Sequence, residues 1–383
     1  MPQTWIAAFR SAPVSPDEPP LVHPSRGFED QTFRQIVRVR DGGDRLRVRL
    51  SNLYGKEPLT IARTRVALHA AGSAIVPCTD TQVTFGGGAP DVTIEVGNEA
   101  VSDPVEFATA GETDLVVSTY QATPCGPATF HPFALQTAYV AAGDATSQPE
   151  LTHPEESESR FHLTGIDVLS SPGHRVVAAF GDSLTDGVGT TAGAGLRYTD
   201  QLARRTAAAN MSVVNLGIAG NRLLTDVFGE SGTARFERDV LTAPGVTHLI
   251  VQFGLNDICL PGMLGTSPVS ANELIDGYTA IAEHARRHGL TAVIATITPF
   301  GGAEAISSGF DTPENEELRR HVNEWIRTSG EFHAVADLDQ ALRAPAAPAT
   351  LAPAYDSGDH MHPNDAGAQV MADAIADALL PLT

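Results

Sequence analysis

Over roughly the first 170 positions, apolar residues alternate with polar ones in short runs, the period of strands with one wet face. Residues 31–40 carry Phe33, Ile36, Val37 and Val39; after Asp41-Gly42-Gly43-Asp44, Leu46, Val48 and Leu50 alternate with Arg45, Arg47 and Arg49. That pattern predicts a hairpin whose second strand is half buried. Residues 61–69, 92–96 and 115–120 continue the short strands, punctuated by Gly86-Gly87-Gly88 and Gly111-Glu112. Such strands with little helical period predict an all-β sandwich or jelly roll. Residues 143–158 are polar and read as a connection, and 161–169 read as a last strand. The expected N-terminal domain is therefore 1–172, polar linker included.

The period then changes. Strands are expected at 176–180, 213–216, 247–253, 291–297 and 332–338. Helices are expected at 197–210, 272–288 (ended by Gly289), 313–328 and 366–380, with Thr312 capping and Pro313 in the first turn of the third. Strands alternating with helices imply a parallel sheet covered on both faces, so 173–383 reads as a doubly wound α/β domain.

Composition narrows the function classes. The 383 residues carry a net charge of −21 with no basic cluster to offset it, which argues against nucleic acid. Lys56 is the only lysine. The Arg45/Arg47/Arg49 stripe reads as a solvated strand face before it reads as an anion site. No run approaches the ~18 apolar residues of a membrane helix. The N-terminus shows no signal-peptide pattern, so the chain as written reads as cytoplasmic, with export left open. Cys78, Cys125 and Cys259 lack metal spacing and read as reduced thiols; a Cys78–Cys125 bridge is the alternative for an exported chain.

Four loops at the expected strand ends of the second domain carry candidate chemistry. They are Gly181-Asp182-Ser183-Leu184, Gly217-Ile218-Ala219-Gly220-Asn221-Arg222, Gly254-Leu255-Asn256-Asp257 and Asp359-His360-Met361-His362-Pro363. Each alone has a plain structural reading: Ser183 as a helix cap, Gly220 as a turn glycine, Asn256-Asp257 as a cap pair, Asp359-x-x-His362 as a surface turn. Together they supply a hydroxyl, an imidazole with a carboxylate three residues away, and amide donors for an oxyanion. His360 competes with His362 as the imidazole, and Asp356 with Asp359 as the acid, but both fit the spacing less well. His131, His153, His248, His284 and His333 have no motif partners. No phosphate loop, dinucleotide fingerprint or zinc spacing is present, and no cofactor is implied. Asp359, His360 and His362 could hold a metal together, but a metal-free triad needs fewer assumptions.

In this order the four loops resemble the SGNH (GDSL-type) hydrolase superfamily over residues 174–380. The N-terminal part is similar to the β domain that precedes the hydrolase in a subgroup of bacterial, chiefly actinobacterial, GDSL esterases. The resemblance implies Ser183 as nucleophile, His362 as base and Asp359 as acid. It implies an oxyanion hole of the Ser183 and Gly220 backbone N–H groups and the Asn256 side chain, with Asp182, Arg222 and Asp257 in support.

The expected reaction is hydrolysis of a carboxylic ester through an acyl-serine, with short acyl groups favoured because no large insert builds a lipid tunnel. Residues 301–310 and 259–269 read as the longest loops at the catalytic edge, where Ile258, Leu260, Met263 and Leu264 could line an acyl site. The alternatives are a carbohydrate O-acetylesterase with the β domain holding a glycan, a lysophospholipase or thioesterase, and a binding module on an inactive scaffold. The β domain could also shape the rim or form a homodimer interface. Expected partners are thus small-molecule or glycan esters.

Overall fold

A computed structural model describes residues 3–18 and 24–383. The chain divides into two compact units, Met1–His174 and Arg175–Thr383.

The first unit is antiparallel β throughout. One sheet runs Thr4–Arg10, Leu163–Ser170, Gly43–Ser51, Glu99–Val101, with Val105–Thr109 also on Gly43–Ser51. A second runs Glu155–Ser157, Ala138–Ala142, Gln31–Val39, Thr113–Gln121, Arg63–Leu68, Thr81–Val83, and two small two-stranded ladders complete the described part of the unit. The expected hairpin is therefore absent: Gln31–Val39 and Gly43–Ser51 lie in different sheets. Gln31–Val39 is buried on both faces, with Ile36 in a cluster with Val116, Tyr139 and Leu151. Its ladder neighbours are Thr113–Gln121 and Ala138–Ala142, both distant in sequence.

The reading of 143–158 as a connection is also corrected. Its residues Ala145 and Leu151 join that cluster, and Glu155–Ser157 pairs with Ala138–Ala142. The cause is Arg34, whose buried guanidinium donates to Ser73 O at 2.6 Å and Gln148 O at 2.7 Å, and also reaches the carbonyls of Ala145 and Thr146. The segment is thus held both by the apolar side chains of Ala145 and Leu151 and by its backbone carbonyls on Arg34. Within the arginine stripe, Arg45 pairs with Glu106 at 2.6 Å and Arg49 with Asp167 at 2.9 Å, while Arg47 stacks on Trp5. The three cysteines are free thiols, Cys78 exposed and Cys125 and Cys259 buried.

The second unit is a parallel five-stranded sheet with helices. Its elements are β1 (Arg175–Gly181), α1 (Ser183–Asp186), α2 (Tyr198–Thr206), β2 (Met211–Gly217), α3 (Gly232–Phe236), β3 (Val246–Gln252), α4 (Leu255–Leu264), α5 (Ala271–Arg287), β4 (Thr291–Ala295), α6 (Pro313–Thr328), β5 (Ala334–Ala336), α7 (Leu338–Leu342) and α8 (Asp365–Leu379). The strand order is β2-β1-β3-β4-β5, every pair parallel. In such a sheet the chain winds outward from β1 both ways, which opens a crevice at the carboxyl end of β1. Val176 to Phe180 are fully buried, as a central strand requires. α2 packs on α8, and α5 on α6.

α4 was not expected. Residues 259–264, read above as the start of a loop, are helical, and the helix runs through Pro261 to a left-handed Gly265. Ile258 and Leu260 are buried in its packing, whereas Met263 is exposed. Among the described residues no helix is long and apolar enough to cross a membrane.

Candidate active site

β1 ends at Gly181, where a Cβ would stand 2.1 Å from Thr185 Oγ1 and 2.5 Å from Gln252 O, so only glycine lets the chain turn directly into α1. The helix cap is Asp182, which accepts a hydrogen bond from Leu184 N–H at 3.0 Å. Ser183 is the first residue inside the helix, so its hydroxyl is not spent on capping. Thr185 Oγ1 donates to Gln252 Oε1 at 2.8 Å and lies 3.0 Å from Tyr198 Oη, a buried network beneath the turn.

Burial is the chief influence on Asp182, pushing its carboxyl up to about 7 against the Leu184 N–H and the Gln252 side chain, which lower it.

Ser183 Oγ lies 2.9 Å from His362 Nε2, and His362 Nδ1 lies 2.6 Å from Asp359 Oδ2. The other oxygen of Asp359 accepts the backbone N–H groups of Met361 and His362, at 2.9 and 2.8 Å. Partial burial pushes this carboxyl up, but the His362 ring and those two donors outweigh it and hold it well below the usual range. The rejected candidates pair with each other instead. His360 Nδ1 lies 2.6 Å from Asp356 Oδ2, with the ring half exposed and the backbone left-handed at φ +65°. Asp359, His360 and His362 therefore do not converge, and no metal-holding group of three occurs among the described residues.

Gly220 sits in the loop after β2 at φ +78°, and a Cβ there would press on the Phe228 ring at 2.8 Å. That loop is stitched to the others. Ala219 N–H donates to Asp186 Oδ2 on α1 at 3.0 Å. Leu223 and Leu224 N–H donate to the two oxygens of Asp257 on α4, at 2.8 and 3.0 Å. Asn256 Nδ2 donates to Asn221 O at 3.0 Å. Burial raises the Asp257 carboxyl to about 6, against the two N–H donors and the charge of Arg222. The Arg222 guanidinium donates to Asp226 O and so holds the following turn.

The five histidines without motif partners are engaged elsewhere or exposed. His131 Nδ1 lies 2.9 Å from Ala12 O, His248 Nδ1 lies 2.8 Å from Thr247 Oγ1, and His333 Nδ1 accepts Ala292 N–H. Burial lowers His248 to about 4. His284 packs on Phe236, and His153 is exposed.

Motif reading missed Asp186 and Arg235. Asp186 follows the Gly-Asp-Ser-Leu block by two residues and reads as an ordinary helix acid. Arg235 and Asp239 are spaced i, i+4, the mark of a surface ion pair, yet both are buried. Phe236 between them, with no charged residue at 231–234, is the one local hint that this segment is internal.

Ser183, His362 and Asp359 thus come together within hydrogen-bond reach, with Ser183 just past the carboxyl end of β1 in a doubly wound sheet. The model of the GDSL-like lipase/acylhydrolase family matches residues 179–370, half of the chain, and the chain belongs to that family. At the level of the family it is an ester hydrolase. No curated protein matches it. Among solved structures it is similar to a lipase/acylhydrolase from Enterococcus faecalis, at 20% identity over 53% of this chain and 94% of that one, with a TM-score of 0.42. A GDSL-like lipase from Bacteroides thetaiotaomicron VPI-5482 shows 15% identity over 56% and 92%, with a TM-score of 0.43. The acetyl xylan esterase AlAXEase shows 20% over 53% and 99%, with a TM-score of 0.41.

Proposed function

We propose that this protein hydrolyses carboxylic esters of short acyl groups through an acyl-serine intermediate on Ser183. The observation that carries the reading is the unbroken chain from Asp359 through His362 to Ser183 Oγ, at 2.6 and 2.9 Å. A serine hydroxyl becomes a useful nucleophile when an imidazole takes its proton during attack. Here Ser183 Oγ bonds to the ester carbonyl carbon as its proton passes to His362 Nε2. Asp359 holds the Nδ1–H tautomer and stabilises the imidazolium. The carbonyl π pair moves to oxygen, and the oxyanion is met by the Ser183 and Gly220 N–H groups and the Asn256 N–H not used on Asn221. Collapse breaks the bond to the alcohol, which leaves with the proton from His362. Water then attacks the acyl-serine by the same route and releases the acid.

Short acyl groups are favoured because α4 is a packed helix. Ile258 and Leu260 are buried in it and are not available to line a long apolar channel. A p-nitrophenyl ester series from acetate to palmitate, run with wild type and Ser183→Ala, tests both parts. The expected result is kcat/KM highest at two to four carbons and lost in the variant. Equal activity in Ser183→Ala removes the mechanism; a maximum at long chains removes the substrate assignment.

A further inference from the structure

Arg235 lies in no motif, yet its fully buried guanidinium gathers the strand ends that carry the site. Nη2 donates to Gly181 O at 2.9 Å, two residues before Ser183. Nη1 donates to Leu216 O at 2.9 Å, near the end of β2. Nε donates to Asn221 Oδ1 at 3.0 Å, on the residue that follows Gly220. The cation also lies 4.4 Å from the centroid of Phe180 and 5.7 Å from that of Phe253, the residue before Gly254. Asp239 supplies the counter-charge at 2.8 Å, from a π-helical turn that continues α3.

Asn221 passes the constraint on. Its Nδ2 donates to Phe228 O and Glu230 O, both at 2.9 Å, and its own carbonyl accepts Asn256 Nδ2 at 3.0 Å. One N–H of the Asn256 amide is thereby held by Asn221 O. A buried, paired guanidinium seldom stabilises a fold better than apolar packing would. Its distinctive property is a rigid fork that fixes several acceptors at once. An oxyanion donor works only when held in place before the reaction, and misplacement by about 1 Å can cost about 100-fold in rate.

We propose that Arg235 is a positioning residue of the oxyanion site, setting Asn221, and through it Gly220 and the Asn256 amide, against the Ser183 turn. This rests on the acyl-serine reading above. Arg235→Lys keeps the charge but cannot hold Gly181 O, Leu216 O and Asn221 Oδ1 together. The test is a double-mutant cycle of Arg235→Lys with Asn256→Ala in the full chain, read as kcat and KM on p-nitrophenyl acetate.

The expected result is a 10- to 100-fold fall in kcat for Arg235→Lys with KM within about 3-fold, and a fall at least about 3-fold smaller in the Asn256→Ala background, where only the Gly220 share remains. Equal losses in the two backgrounds, or a lowered Tm with kcat unchanged, overturn the proposal. If Asn256→Ala alone costs nothing, the oxyanion assignment beneath it fails, which is a separate result. Should Arg235→Lys not fold, Asn221→Ala cuts the same link while leaving Arg235 on Gly181, Leu216 and Asp239, and it must show the same non-additivity. An additive outcome there overturns the proposal equally.

Discussion

Asn256→Ala probes transition-state stabilisation and folding in one variant, with a separate readout for each. The side chain is buried at the start of α4, and one of its two amide N–H groups is occupied by Asn221 O at 3.0 Å. Truncation removes that hydrogen bond and the free donor together. The first loss is a stability term of about 1 kcal/mol, rising toward 3 if Asn221 O stays dry and unpaired. The second is a catalytic term: an oxyanion donor is worth about 2.7–4 kcal/mol in the transition state, or 100- to 1,000-fold in kcat, with little effect on ground-state binding. The expected result with p-nitrophenyl acetate is therefore kcat down at least 100-fold, KM within about 3-fold, and Tm lower by a few degrees. Asn256→Asp, which fills the same space, cannot donate and adds a negative charge, should lose at least as much. A fall in Tm with kcat within 10-fold of wild type, or a loss borne by KM alone, would rule out Asn256 as an oxyanion donor.

The pairing of the imidazoles separates two further variants. Asp359→Asn leaves His362 without its fixed tautomer and should cost about 100- to 10,000-fold in kcat, whereas His360→Ala, which breaks only the pair with Asp356, should keep kcat within about 3-fold; a larger loss at His360 contradicts the assignment. Asp182 and Asp257 titrate near 7 and 6 in the folded chain because burial disfavours their charge, so between about pH 4 and 7 the native state binds more protons than the unfolded one. Stability should fall as pH rises through that window, by at most about 4 kcal/mol for Asp182, and Asp182→Asn should flatten the slope of urea midpoints between pH 5 and 8; an unchanged slope would count against it. The depressed Asp359 works in the opposite sense: its contribution is present above the ordinary carboxylate range and lost as pH falls below about 4.

The candidate site was legible where its residues fall in short blocks at strand ends. Gly181 must be small for the chain to turn toward Ser183, and Asp359 meets the His362 ring from within the same short loop, so these positions show as local pattern. What escaped was set by distant neighbours. Alternation in Leu46, Val48 and Leu50 announces one wet face but not the partner strand, and Gly43–Ser51 pairs with Leu163–Ser170 rather than with the strand just before it. The polar 143–158 segment looked external because its anchor is Arg34, more than a hundred residues earlier. Pro261 and Gly262 hid α4, since neither favours a helix interior. Arg235 is the sharpest case: its spacing to Asp239 is that of a solvated pair, and only the convergence of Gly181, Leu216 and Asn221 on one guanidinium reveals a role.

The most direct test of the acyl-serine account is covalent capture. Incubation with a p-nitrophenyl alkylphosphonate, followed by intact and peptide mass spectrometry, should show one adduct per chain on the peptide containing Ser183, with loss of esterase activity in step. The adduct should be absent in Ser183→Ala and should form much more slowly in His362→Ala. Adduct formation on another residue, or full esterase activity after Ser183 is blocked, would contradict the account.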